Sequence, residues 1–288
     1  MDRIKLGVCI SSSFSGLNNK EQEAAKIELE KYFDVSLYLP NTKADAFGSL
    51  SLNKRIESIN RAAKENEVLL SYSGGFNQIE LLLNFNKLRF RKDNIFVGQS
   101  DNTLLVNALP ALSICKSLYG KGFYNIAKNP DLAKDMVEEL YKSVVKLKSL
   151  RLDKNPIIIG GNNYTFDLLQ GTKFCPSFKN PYILFMEGED ILKESSEVWI
   201  DFIRNIDSIM LQAGALKNLK GLVIGKFPDS VKITKKQLDK FINGRPYMKG
   251  LPIITDYPCG HNKGSSKYLP IGQNISLKML NLNDKRKN

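Results

Sequence analysis

The stretch Ile95-Phe96-Val97-Gly98-Gln99-Ser100-Asp101-Asn102-Thr103-Leu104-Leu105 holds a short apolar run that stops at a glycine, and an amphipathic run that starts just past a serine. This pattern predicts a buried strand feeding a sharp turn into a helix. Such a turn lifts the Ser100 hydroxyl above the sheet and aims the first helical amides at negative charge developing beside it. The same residues also suit a plain N-cap, in which Ser100 only satisfies helix-end amides.

A reactive serine needs a base to remove its proton, and imidazole titrates nearest to neutral pH. The chain has one histidine, His261. It lies in Pro252-Ile253-Ile254-Thr255-Asp256-Tyr257-Pro258-Cys259-Gly260-His261-Asn262-Lys263-Gly264, read as a strand end followed by a loop rich in turn formers, where functional side chains gather. A lone loop histidine also suits a solvated surface position. Its singularity excludes zinc sites built on two or three histidines, and no Cys-x-x-Cys pair replaces them. No metal and no organic cofactor is expected.

Outward from Ser100, short apolar runs alternate with helical periodicity, which predicts an α/β fold with a mostly parallel sheet. Ile4 to Ile10 reads as the first strand, followed by Ser11-Ser12-Ser13 and a helix from about Asn19 to Phe33 with Ala24, Ala25, Ile27 and Leu29 facing inward. A helix near Leu52 to Ala63 precedes the strand Val68-Leu69-Leu70-Ser71. That strand ends in Ser73-Gly74-Gly75-Phe76-Asn77 and a helix containing Ile79, Leu81 and Leu82. Ligand sites of open α/β sheets gather at such strand ends. Asn129-Pro130 starts a helix well, with Asn as cap and Pro at the first position. The polar Arg151-Leu152-Asp153-Lys154-Asn155 then marks a boundary. The expected organisation is residues 1–150 as a nucleophile domain and 151–288 as a second, mixed α/β domain. In the latter, Ile157 to Asn163 is a strand running into glycines and Ile183-Leu184-Phe185-Met186-Glu187 is an apolar run ending in a carboxylate. Such a carboxylate is either exposed at a strand tip or buried with a partner, for which His261 is available.

With 288 residues, 42% hydrophobic and 25% charged, the composition is that of a soluble globular protein. Met1-Asp2-Arg3-Ile4-Lys5-Leu6 enters a strand without a signal segment, and no apolar run approaches membrane-spanning length, so a cytoplasmic protein without membrane contact is expected. Cys9 and Cys115 fall in apolar runs and read as buried free thiols. A net charge of +12 raises nucleic-acid binding. Basic residues are interspersed with acidic ones, as in Lys134-Asp135-Met136-Val137-Glu138-Glu139, and the compact basic cluster is Lys285-Arg286-Lys287. No specific nucleic-acid partner is expected, while attraction for anionic substrates fits.

Taken together, Gly74-Gly75-Phe76-Asn77, Gly98-Gln99-Ser100-Asp101, Gly160-Gly161-Asn162, Leu168-Leu169-Gln170-Gly171-Thr172, Ile183-Leu184-Phe185-Met186-Glu187, Gly221-Leu222-Val223-Ile224-Gly225-Lys226-Phe227, Gly260-His261 and Leu269-Pro270-Ile271-Gly272 resemble the LD-carboxypeptidase family of serine peptidases, and more narrowly its microcin C immunity branch. The resemblance runs in order from Ile4 to about Leu277. It implies a Ser-Glu-His triad: Ser100 as nucleophile, Glu187 as orienting carboxylate, His261 as general base. By the same resemblance the oxyanion hole maps to the backbone amides of Asp101 and Gly75, and Gly74, Phe76 and Asn77 are candidate substrate contacts. A homodimer is also implied. The order Ser, Glu, His matches α/β-hydrolases too, but Ser100 lacks the second glycine of their G-x-S-x-G turn.

Ser73 stands where relatives often carry arginine and Gln99 where tyrosine is usual, and Glu187 is followed by Gly188 rather than a second acid. Glu189 is therefore a rival for the carboxylate role. Two substrate classes fit: a muropeptide losing a terminal D-amino acid, or a peptidyl or aminoacyl group on a nucleotide-like moiety. The latter asks for an aromatic platform, for which the lone Trp199 is a candidate, although its helical context reads as core. A binding module that keeps the scaffold without the chemistry is the non-enzymatic alternative.

Overall fold

Among the described residues the apolar run at Ile95 is one of ten strands. In this computed structural model, which describes residues 3–14, 16–40, 44–45, 48–150, 156–189, 198–231, 233–275 and 280, they are β1 (Ile4–Cys9), β2 (Phe33–Leu37), β3 (Val68–Ser71), β4 (Ile95–Gly98), β5 (Lys116–Tyr119), β6 (Ile157–Asn162), β7 (Tyr182–Glu187), β8 (Leu219–Gly225), β9 (Ile253–Tyr257) and β10 (Leu269–Ile271). The first sheet has the order β10-β5-β4-β3-β1-β2 and is parallel except for β10, which runs antiparallel to β5. The second, β6-β7-β8-β9, is parallel throughout. The fold is thus the expected α/β arrangement, with Ser100 on the first sheet and Glu187 and His261 on or beside the second.

The central strands are continuous apolar runs because both faces are covered. Side chains alternate across a strand. Val68 and Leu70, Ile95 and Val97, and Leu118 accordingly join one core, while Leu69, Phe96 and Tyr119 join the other. The second core also contains the strands of the second sheet, and the helix Thr103–Ala111 packs into it against both sheets. Leu104 to Leu109 of that helix are all buried, so its apolar surface is not confined to one stripe. Pro110 near its end lacks an N–H, and the carbonyl this frees, that of Val106, accepts a hydrogen bond from Ser117 Oγ at 2.5 Å.

Two parts of the first sheet depart from expectation. The first helix ends at Glu30, and Phe33 opens β2 instead of closing the helix. Phe33 and Val35 are buried while Asp34 is exposed, a period of two within too short a stretch to stand out from the helix before it. Ala25 and Leu29, one turn apart, face the core, whereas Ile27, about 200° round the helix from Ala25, is 53% exposed and Ala24 is exposed as well. At the other edge, β10 returns from beyond His261 to pair with β5. It carries Pro270, which suits an edge strand, and its three residues give no periodic signal.

The long helix Pro130–Ser149 starts with Pro at its first turn as expected, but Asn129 does not cap it. The Asn129 side chain donates instead to the Asn125 carbonyl at 2.7 Å. Cys9 and Cys115 are free and buried, and burial pushes both thiols up to about 12, so they pack as small apolar groups at neutral pH. Among the described residues, no helix is long and apolar enough to cross a membrane. The chain leaves β1 for β2 on one side while β3 lies on the other, which opens a crevice at the carboxyl ends of β1 and β3. Ser11–Ser13 and Ser73–Gly75 follow the two strands that border it, and Gln99–Ser100 follow β4 beside β3.

Candidate active site

Ser100 opens a short 3-10 turn, Ser100–Asn102, with Gln99 in the cap position, and its side chain caps nothing. The N-cap reading is therefore wrong. Its backbone has φ 63°, a left-handed conformation that a residue with a Cβ adopts at a cost of about 1–3 kcal/mol. Surrounding bonds hold it there. The Ser100 N–H donates to the Tyr119 hydroxyl at 3.1 Å, and its carbonyl accepts from Thr103 Oγ1 at 2.6 Å. The Asn102 side chain donates to the carbonyls of Ser73 and Gln99, each at 2.9 Å.

Gly74 sits directly against this turn, where a Cβ would come within 2.7 Å of Ser100 Cβ. Gly74→Ala is therefore expected to push Ser100 aside and lower kcat/KM by about 100-fold or more, because angstrom-scale misplacement costs that much. Hydrolysis assays on the folded variant check this. A rate within threefold of wild type would show that the contact is not limiting.

Glu187 ends β7 and is fully buried. A Cβ at Gly225 would lie 2.6 Å from Glu187 Cβ, and one at Gly260 2.7 Å from its Oε2, so two glycines make the room this carboxylate occupies. His261 Nδ1 lies 2.8 Å from Oε2 and 3.0 Å from Oε1, and the His261 amide donates to Oε2 at 3.0 Å. Tyr119 donates to Oε1 at 2.6 Å, and Asn162 Nδ2, on the neighbouring strand, lies at 3.5 Å. Burial pushes the Glu187 carboxyl up, but the facing imidazole charge and these hydrogen bonds outweigh it and hold the group below the ordinary carboxylate range. Burial likewise disfavours charge on His261. The Glu187 and Glu189 charges and the Glu187 hydrogen bond outweigh it and raise the imidazole above its ordinary value. The buried carboxylate has the partner that its cost in isolation demands.

Glu189 sits on the other side of the ring, its Oε2 3.8 Å from His261 Nε2. Burial raises its carboxyl, and the negative charges of Glu187 and Asp101 add to that. Of the two acids, Glu187 is the one that binds Nδ1 and so fixes the ring.

Ser100, His261, Gly74, Gly75, Gln99 and Tyr124 line one cleft of about 300 Å³. The structure brings the three candidate catalytic residues to one place, although no hydrogen bond joins Ser100 Oγ to the imidazole. A single phenol bridges them instead: Tyr119 Oη accepts from the Ser100 amide and donates to the Glu187 carboxylate. Gly75 has φ 142°, and a Cβ there would collide with Ser13 Oγ at 1.9 Å. Its amide makes no hydrogen bond within the described residues and lies on the cleft wall. The Asp101 amide belongs to the first turn after Ser100, where N–H groups lack partners within the helix. The Asp101 carboxylate accepts from Ser12 Oγ and from the Gln78 amide, which anchors the turn from below.

Phe76 and Asn77 do not line the cleft. Phe76 is 76% exposed, and the Asn77 backbone is engaged by Ser12 and Arg55. Trp199 falls within the helix Val198–Ile209, and its side chain lies outside the described residues. Lys121 is 4% exposed, and burial lowers its pKa against the pull of Glu187 and Cys259. Among the described residues, no group of three or more His, Cys, Asp or Glu side chains is arranged to hold a metal ion.

The sequence reading missed Tyr119 and gave Asn162 no role. A tyrosine ending an apolar strand reads as core, and the only signal beside it was the Gly120-Lys121-Gly122 turn at a strand end.

The family model for the LD-carboxypeptidase N-terminal domain matches residues 7–120, and that for the C-terminal domain matches residues 156–277. The chain belongs to the LD-carboxypeptidase family, a family of peptidases. The putative carboxypeptidase YocD of Bacillus subtilis (strain 168) is 26% identical over 94% of this chain and 91% of its own length. Among solved structures, an MccF-like protein from Bacillus anthracis str. Ames superposes with a TM-score of 0.81 at 22% identity, covering 94% of this chain and 92% of that one. MccF in complex with glutamyl sulfamoyl guanosine superposes at 0.72 with 18% identity, covering 93% and 91%. A muramoyltetrapeptide carboxypeptidase from Oxalobacter formigenes superposes at 0.68 with 22% identity, covering 93% and 92%. These structures share the fold.

Proposed function

We propose that the protein is a serine peptidase that hydrolyses an amide bond in a small peptide or peptide conjugate. Residues 1–150 supply the nucleophile and residues 151–288 supply the carboxylate and the base. The observation that carries this reading is the Glu187–His261 pair, buried on the carboxylate side and opening on the imidazole side into the cleft where Ser100 is held in a left-handed turn. Ser100 Oγ attacks the scissile carbonyl as His261 takes its proton, and His261 returns that proton to the leaving amine. Glu187 fixes the tautomer with the proton on Nδ1 and stabilises the imidazolium. The amides of Asp101 and Gly75 receive the tetrahedral oxyanion, each contributing about 3 kcal/mol. Water then cleaves the acyl-enzyme.

Two substrate classes are open to this chemistry. One neighbour is a muramoyltetrapeptide carboxypeptidase and another is a protein with glutamyl sulfamoyl guanosine bound. Supplying a muropeptide tetrapeptide and an aminoacyl sulfamoyl adenosine side by side and measuring release of the terminal amino acid assigns the class. Turnover of neither, together with no labelling of Ser100 by a fluorophosphonate, would leave a binding module on the peptidase scaffold.

The pH dependence follows from the sign of the His261 shift. A general base must be neutral, so kcat/KM falls as pH drops through the pKa of the free enzyme's imidazole. Glu187 and Glu189 hold that pKa above the ordinary 6.5. The acid limb of the kcat/KM profile is expected above pH 6.5, and Glu189→Gln should move it to lower pH by removing one of the two charges. A limb at or below 6.5 in the wild type would contradict the assignment of His261 as the base.

A further inference from the structure

Gln99 is 5% exposed, and neither atom of its carboxamide has a hydrogen-bond partner among the described residues. Among the described residues it is the one carboxamide whose donor nitrogen and acceptor oxygen are both buried and unpaired. Leaving such a group unsatisfied costs about 1–3 kcal/mol, so a native site that keeps one calls for a reason. Its position supplies one. The backbone at Gln99 is still extended, with φ −135° and ψ 166°, so the alternation of β4 continues through it. Gln99 shares the face of Ile95 and Val97, one residue before Ser100, and lines the same cleft as Ser100 and His261.

A carboxamide offers one acceptor and one donor side by side. A peptide unit or a second carboxamide presents the matching donor and acceptor, so it pairs with both at once. Because Gln99 precedes the candidate nucleophile and lines the same cleft, the unit it meets belongs to the part of the substrate next to the scissile amide. We propose that the Gln99 carboxamide reads an amide unit adjoining the scissile bond, making the enzyme selective for substrates that carry a second peptide or carboxamide group there. This rests on the peptidase reading of the cleft.

The test compares two matched substrates, one with the adjoining amide and one in which an ester oxygen replaces its N–H, on wild type, Gln99→Leu and Gln99→Met. Wild type should favour the amide by about tenfold or more in kcat/KM, as sites that bond a donor discriminate against analogues lacking it. In Gln99→Leu that preference should collapse to within about twofold, carried by loss on the amide substrate. Gln99→Met keeps the length of the side chain and gives the same readout if leucine does not fold. Equal losses on both substrates, or no change on either, would overturn the assignment and leave Gln99 bonded to water alone. The control is Ser100→Ala. Turnover surviving there would remove the peptidase reading itself, whereas dead Ser100→Ala with an unchanged amide preference in the Gln99 variants removes only the role of Gln99.

Discussion

Ser100→Ala is expected to lower kcat by about 10⁴-fold or more while leaving the melting temperature within a degree or two of wild type. The chemistry explains the first half: without the hydroxyl no acyl-enzyme forms, and what remains is the rate the amides and the cleft give to direct attack by water. The structure explains the second. Among the described residues Ser100 Oγ has no hydrogen-bond partner, and the contacts that hold the turn run through the Ser100 N–H and carbonyl, to Tyr119 and Thr103, which alanine retains. Alanine also carries the same left-handed strain as serine, since both have a Cβ. Activity and stability should therefore separate cleanly. Thermal melting and single-turnover hydrolysis of the variant measure the two halves, and activity above one hundredth of wild type would remove Ser100 as the nucleophile.

Tyr119 shows why part of this site could not be read along the chain. Ser100 stood out because an apolar strand stopped at a glycine just before it, and His261 because it has no competitor of its kind. Glu187 stood out because a carboxylate rarely ends a run as apolar as Ile183 to Met186. Each of these signals is local. The role of Tyr119 is not, because it exists only through bonds to an amide 19 residues back and a carboxylate 68 residues ahead. Gly74 is similar: the sequence shows a glycine at a strand end, but the reason for it is Ser100 Cβ in the turn after the next strand. In the fold, the interior strands β3 and β4 were legible because burial on both faces makes them uniformly apolar. The edges β2 and β10 were not. Edge strands are short, half-exposed or proline-bearing, and their pairing partners decide them more than their own composition does.

Glu187→Gln tests the most constrained group in the site and should lower kcat by about 10⁴-fold. The carboxylate accepts from Tyr119 Oη, His261 Nδ1 and the His261 amide, with Asn162 at the limit of reach. Glutamine fits the same volume between Gly225 and Gly260 but has one acceptor oxygen and an NH₂ that only donates. If the NH₂ faces the ring, Nδ1 must become the acceptor and the proton moves to Nε2, which then has no lone pair for the serine proton. If it faces Tyr119, it opposes a hydroxyl whose acceptor side is already taken by the Ser100 amide, and the nucleophile turn loosens. Either orientation removes the charge that raises the imidazole pKa, so whatever activity remains should show its acid limb shifted to lower pH than wild type. The Glu189 carboxyl is 3.8 Å from Nε2, bonds Asn162 and makes no bond to Nδ1, so Glu189→Gln should lose far less. Steady-state kinetics across pH on both variants decides the matter: if Glu187→Gln works within tenfold of wild type while Glu189→Gln collapses, the orienting carboxylate is Glu189.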